Sequence, residues 1–417
     1  MFSCRVLPLA LAALFFVACK TQNSTTLPPL PQRDSLTAAL ERLYSWGHFT
    51  GFGVAIVTGN GKVYRQGFGY AERETARPYT EKTVQNIGSV SKTVIGLALL
   101  KAQELGRLRL DDPVNRYLPF PVSHPRFPDQ PITIRHLATH TSGVLDTEAY
   151  AEHNYILKPG PNGNDTDASP GAEVRFNAPG AALPLGGFLE KVLTPAGAWY
   201  REEGFSPHAP GNRYAYTNIG AALAAYVVEG ATGVPFDVFT RKHIFGPLGM
   251  KATGWKFAGI DFTRHSRIYQ APGKPLPYYS LITYPDGNLI TSVSDLCLYL
   301  SELIRGYAGR GRILSKESYA ELFRPQLVDR HFGERNERNP YNDGYNTGIF
   351  MGISAAGYIG HTGSDPGVGS LLFFDPRTLA GRILLVNTGF TGKESTRTFF
   401  ALFDLLETHR KEWEIRR

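Results

Sequence analysis

Leu36, Ala39, Leu40 and Leu43 fall at helical spacing behind Ser35, an N-cap type of residue, and predict a first helix from Ser35 to Trp46. The pattern then switches to two β-rich runs, Phe52 to Thr58 and Lys62 to Ala71. Gly59-Asn60-Gly61 joins them, and because such a turn needs residues that tolerate positive φ, the three residues predict a hairpin. Helical spacing returns from Thr93 to Leu105 through Val94, Ile95, Leu97, Ala98 and Leu100, and stops at Gly106, where a C-cap glycine is expected. The middle of the chain, about 111 to 283, mixes helical stretches such as Gly220 to Glu229 with Gly/Pro-rich loops, notably Leu157 to Leu185. The last third predicts a helix at Ser294 to Ile304, strands at Tyr358 to His361, Ser370 to Phe374 and Ile383 to Val386, and a closing helix from Ser395 to Trp413. This order predicts an α/β fold in which both ends of the chain build one antiparallel sheet flanked by helices. A single domain over 34–417 then divides into an α/β lobe, about 34–110 and 284–417, and an inserted mainly helical lobe, about 111–283.

Composition changes this picture little. The 417 residues are 42% hydrophobic and 19% charged, an ordinary globular balance, and 44 Lys+Arg against 37 Asp+Glu are spread without a long basic run. The net charge of +7 therefore reads as solvated surface, and no nucleic-acid partner is expected. The N-terminus carries an address: Arg5, the apolar run Val6 to Val17, then Phe16-Val17-Ala18-Cys19. It resembles a bacterial lipoprotein signal at 1–18, cut before Cys19, whose thiol takes the lipid. Residues 19–33 read as a tether, and the expected location is an exported, membrane-anchored one. An ordinary secretory signal with an incidental Cys is the alternative. Cys297, in an apolar helical pattern, reads as a buried structural thiol, and no disulfide framework is available.

Candidate chemistry gathers at Ser89-Val90-Ser91-Lys92, where a Ser precedes a Lys by three residues. Positions i and i+3 share a helix face, so an ammonium can reach the serine oxygen, and the helix N-terminus offers positive potential and the Ser89 N–H to a developing oxyanion. Ser-x-x-Lys alone arises by chance in many proteins. Here it opens a helix directly after a loop, in Ile87-Gly88-Ser89-Val90-Ser91-Lys92-Thr93.

With Ile132 to Gly143, Tyr216-Thr217-Asn218, Pro247-Leu248-Gly249-Met250 and His361-Thr362-Gly363-Ser364, the chain resembles the class C β-lactamase-like family of β-lactamases, DD-carboxypeptidases, D-amino-acid peptidases and esterases. The resemblance runs over about residues 36 to 390. It implies the β-lactamase/penicillin-binding (transpeptidase-like) fold and an acyl-enzyme on Ser89, with Lys92 beside it and no cofactor or metal. Tyr216, its anion favoured beside Lys92, becomes general base and later acid. Asn218 donates to the substrate amide and to Lys92. Gly363 lets substrate backbone lie along the strand, Thr362 binds a substrate carboxylate, and the Ser364 N–H completes the oxyanion hole. His361 stands where relatives carry Lys, so its charge, with a reference pKa near 6.5, is conditional. The bland readings are a Tyr cluster packing at a helix start and a turn with a solvent-facing His.

Competing signals are weak. His136 and His140 lack the Glu of a His-Glu-x-x-His site, and no Gly-x-Ser-x-Gly or Ser-Asp-Asn motif occurs. The expectation is a serine hydrolase for an amide, peptide or ester, with loops from Leu157 to Gly204 setting specificity. Export favours cell-wall or D-amino-acid peptides as substrate. A β-lactamase or carboxylesterase, or a lipoprotein that binds such ligands without turnover, are the alternatives, and oligomeric state stays open.

Overall fold

In the computed structural model, residues 30–159, 174–333 and 344–415 are described. The signal segment 1–18, Cys19, most of the 19–33 tether and residues 160–173 of the long loop lie outside them.

The hairpin forms as its turn chemistry requires. Strands β1 (Gly51–Thr58) and β2 (Gly61–Glu72) pair antiparallel with Thr58 opposite Gly61, whose φ of +120° only a glycine adopts readily. A short β3 (Arg77–Pro78) lies beyond β2. The C-terminal third supplies β4 (Asn346–Thr347), β5 (Gly352–Ile353), β6 (Ile359–Asp365), β7 (Val368–Asp375) and β8 (Ala380–Val386). Strand β8 pairs with β1, which joins the two ends of the chain into one eight-stranded antiparallel sheet, ordered β4-β5-β6-β7-β8-β1-β2-β3.

Alternation along the central strands explains the layers. Val54, Ile56, Leu384 and Val386 face Leu36, Leu40, Leu402 and Leu406 of the first and last helices, α1 (Leu30–Tyr44) and α5 (Lys393–Ile415). Their neighbours Ala55, Val57, Ile383 and Leu385 face the opposite core, with α2 (Lys92–Glu104), α3 (Asn218–Thr232) and α4 (Val293–Tyr307). Helix α1 begins at Leu30, inside the segment read as tether, and its apolar Leu36 and Leu40 pack on α5 and the sheet. Cys297 is buried in α4, and burial pushes its thiol up to about 12, in keeping with an inert thiol.

Candidate active site

A short strand, Val84–Asn86, delivers the chain to the nucleophile. Gly88 follows at φ +53°, and a Cβ there would stand 2.7 Å from the Ser364 backbone nitrogen, so both conformation and space demand glycine. Ser89 then lies in a 3₁₀ turn, Gly88–Ser91, which runs into α2 at Lys92, whereas the sequence placed it at the start of the α-helix itself. At three residues per turn, side chains i and i+3 eclipse, which sets Lys92 directly over Ser89. Lys92 Nζ is 2.9 Å from Ser89 Oγ, and Lys92 is fully buried while Ser89 stays partly exposed.

Two further acceptors fix that amine: Asn218 Oδ1 at 2.7 Å and the Asp286 carbonyl at 2.8 Å. Asn218 thus accepts from Lys92, the reverse of the expected donation. Its amide Nδ2 instead donates to Asp146 Oδ2 at 2.8 Å, and Asp146 also takes the Asn218 and Ile219 backbone N–H groups and the Thr217 hydroxyl. Asp146 therefore caps α3 and aims Asn218 with one carboxylate. Sequence reading missed it, since a lone Asp after Val144-Leu145 looks like any loop residue.

Tyr216 sits before that cap with its ring 5.1 Å from Lys92 Nζ. Burial drives its phenol well above 10, and the nearby Ser89 hydroxyl only partly offsets this. The phenolate expected beside Lys92 is thus not favoured: burial raises the phenol, and Asp286, Asp146 and Asp365 raise it further. His140 stacks on Tyr216 at 4.5 Å, and its Nδ1 takes the Thr217 N–H at 3.3 Å. Its own φ is +55°, a conformation held here by the bond from Ala215 N–H to its carbonyl and by packing. His140 is structural, as read, and what it supports is the Tyr216 segment. His136 meets its own local need, forming a capping box with Thr133. Among the described residues no group of three or more His, Cys, Asp or Glu is placed to hold a metal ion.

Strand β6 brings His361, Thr362, Gly363 and Ser364 against the Ser89 turn, with Thr362 and Ser364 exposed. Gly363 has a structural reason besides the expected one. A Cβ there would lie 2.1 Å from the Ile87 carbonyl and 2.2 Å from Ser370 Oγ, so it is the protein's own backbone that needs the space. His361 shares a ring Nδ1 contact with the Thr362 carbonyl. Burial lowers its imidazole to about 4, with Lys92 adding repulsion, so at neutral pH it is uncharged. The conditional charge expected from a pKa near 6.5 is therefore absent at neutral pH.

Two acids complete the cleft, and neither was singled out from sequence. Asp286 ends a 3₁₀ turn, Tyr284–Asp286, and Asp365 ends β6. Tyr150 donates to Asp286 Oδ1 at 2.9 Å and Tyr155 to Asp365 Oδ1 at 3.0 Å. Burial pushes each carboxyl up to about 7; Asp286 adds repulsion at Asp365, and Lys92 opposes both shifts. With Ser89, Tyr216, Asn218, His361, Thr362 and Ser364 they line one cavity of about 280 Å³. Asp286 hides in Pro-Asp-Gly and Asp365 in Asp-Pro-Gly, which sequence reading takes as turns.

A family model described as Beta-lactamase matches residues 36–407. A penicillin-binding protein of Bacillus subtilis (strain 168) is 28% identical over 332 residues, covering 74% of this chain and 64% of that protein. Esterase EstB of Burkholderia gladioli is 33% identical over 230 residues, covering 54% of this chain and 51% of its own length. The matches thus span between half and two thirds of these curated relatives. A β-lactamase/D-alanine carboxypeptidase structure from Pseudomonas syringae superposes with a TM-score of 0.63 at 17% identity, covering 90% of this chain and 99% of that one, and so shares the fold.

Proposed function

Since the chain belongs to the β-lactamase family, we propose that it is a serine hydrolase in which Ser89 forms an acyl-enzyme with an amide, peptide or ester. The observation that carries this is the 2.9 Å approach of Lys92 Nζ to a partly exposed Ser89 Oγ, with Asn218 and the Asp286 carbonyl fixing the amine. The ammonium that donates to Ser89, Asn218 and the Asp286 carbonyl first gives up one proton to solvent; as an amine it keeps N–H groups for the last two and turns its lone pair on Ser89. Ser89 Oγ bonds to the acyl carbon and its proton passes to Lys92. Tyr216 gives its hydroxyl proton to the departing nitrogen or oxygen and regains one from Lys92, so the serine's proton leaves with the leaving group. The transfers run together, because the surroundings of Tyr216 disfavour a phenolate. Backbone N–H groups of Ser89 and Ser364 hold the oxyanion, and water then releases the acyl group.

Ser89→Ala removes only the nucleophile's oxygen. Labelling by a fluorophosphonate or a fluorescent penicillin, and turnover of p-nitrophenyl acetate, are expected to disappear with the fold intact by circular dichroism. A variant that still labels would sink the assignment. A D-Ala-D-Ala peptide, p-nitrophenyl esters and a chromogenic cephalosporin, assayed side by side, separate the peptidase, esterase and β-lactamase readings. Stoichiometric labelling without turnover of any of them would favour the binding-protein alternative.

A further inference from the structure

The side-chain carboxyls of Asp286, buried, and Asp365, partly exposed, have no part in the acyl transfer just described. Each binds a tyrosine hydroxyl through one oxygen, and both residues line the same cavity. Asp286 is 1% exposed, and its Oδ2 is buried with no hydrogen-bond partner among the described residues. Asp365 Oδ2 lies over Gly287, the next residue, where a Cβ would come within 2.9 Å of it. Glycine at 287 is what allows the two carboxyls to share one corner.

Two carboxylates in a buried corner are unfavourable unless a cation compensates them. No Arg or Lys stands among the described residues that line the cavity. Lys92 lies close, but its Nζ already serves Ser89, Asn218 and the Asp286 carbonyl. Burial raises both acids, and Asp286 adds repulsion at Asp365, so a cation placed between them would lower both. A primary ammonium brings a compact positive charge and three N–H donors, enough for both second oxygens. The Tyr150 and Tyr155 rings, with centroids 6.3 Å apart, offer electron-rich walls beside it. A substrate carboxylate at the same corner would meet repulsion instead.

We propose that Asp286 and Asp365 form a subsite for a free primary ammonium on the acyl part of the substrate, so that the enzyme selects amino-acyl amides or esters whose amine is unblocked. The subsite rests on the Ser89 hydrolase reading and narrows its substrate class.

The test compares alanine p-nitroanilide and p-nitrophenyl ester, both enantiomers, each with a free or an N-acetylated amine, while p-nitrophenyl acetate and fluorophosphonate labelling report Ser89 by themselves. In the unmutated enzyme kcat/KM for the free amine should exceed that for its acetylated partner by about tenfold or more, the usual weight of a charge-assisted hydrogen bond. In the Asp286→Asn/Asp365→Asn double variant, which keeps size and acceptors but drops both charges, that ratio should fall to within about threefold of one. Asp365→Glu, which keeps the charge, serves if the double variant fails to fold, and should retain a preference of at least half the original. An unmutated enzyme that labels and turns over p-nitrophenyl acetate but prefers the acetylated compound, neither compound, or both equally overturns the subsite alone. A preference that survives the double variant does the same. An enzyme that neither labels nor turns over p-nitrophenyl acetate overturns the hydrolase reading and the subsite with it.

Discussion

Around Ser89 the cleft has two corners built from the same kinds of atom and left in different states. At the catalytic corner Lys92 donates to Asn218, Asn218 donates to Asp146, and Asp146 closes on the N-terminus of α3, so the amine reaches Ser89 already aimed. At the acidic corner Tyr150 and Tyr155 each meet one carboxylate oxygen, and Asp286 Oδ2 meets none among the described residues. The difference teaches that preorganisation marks where bonds are made, whereas an unmet buried charge marks where something must be brought. Chemistry that must not wait on rearrangement is wired in advance.

The comparison breaks most sharply at Tyr216. Tyr216→Phe should lower the acylation rate by roughly two to four orders of magnitude, the usual weight of a proton-transfer group, with little change in melting temperature. Pre-steady-state acylation and a thermal melt check this together, and full activity in the variant would mean that Lys92 acts alone. Next comes Asp146→Ala, which removes both the cap of α3 and the hold on Asn218. A roughly tenfold fall in kcat with KM less affected is expected, together with about 1 kcal/mol of lost stability. Asp146→Asn, which keeps an acceptor, should recover most of the stability, and a stability loss without any fall in kcat would reduce Asp146 to a helix cap.

The acidic corner gives smaller, pH-dependent effects. As pH rises through about 7, Asp286 and Asp365 ionise and repel a substrate carboxylate. The ratio of kcat/KM for a carboxylate-ended peptide over a neutral ester should then fall several-fold, an attenuated Coulomb effect in a partly wet cleft. His361, neutral above about 4, cannot supply that slope. The fall should persist in His361→Gln and vanish in the double Asp→Asn variant. If it vanishes in His361→Gln, the histidine carries the charge after all.

Stability should shift least. A carboxyl raised from 3.8 to about 7 on folding contributes stability that is full below its unfolded value and is lost as pH climbs through 7. Asp286→Asn, still able to accept from Tyr150, should therefore melt about 1 °C above the unmutated protein at pH 8, taking about 1 kcal/mol of relief, and show no advantage at pH 4. Calorimetry at the two pH values decides it, and an equal shift at both would trace the change to packing.

The chain's periodicity and turn chemistry determined much on their own. The hairpin at Gly59-Asn60-Gly61, the helix after Ser89 and the late strands are local statements: alternation, helical spacing and residues that accept positive φ act within a dozen positions. Ser89, Lys92, Tyr216 and the His361 to Ser364 strand were legible because each sits in a short run whose spacing carries its own geometry. What the sequence could not supply is which distant groups meet and how dry the meeting place is. Asp146 lies 72 positions from Asn218, Asp286 lies 194 from Lys92, and Asp365 lies 210 from Tyr155. Only folding brings those partners together, and only burial, a property of the whole packed neighbourhood, decides that Tyr216 keeps its proton, that His361 loses its charge and that Asp286 and Asp365 are both raised. Protonation follows the balance of desolvation and neighbouring charge, and neither is written in the spacing of residues along a chain.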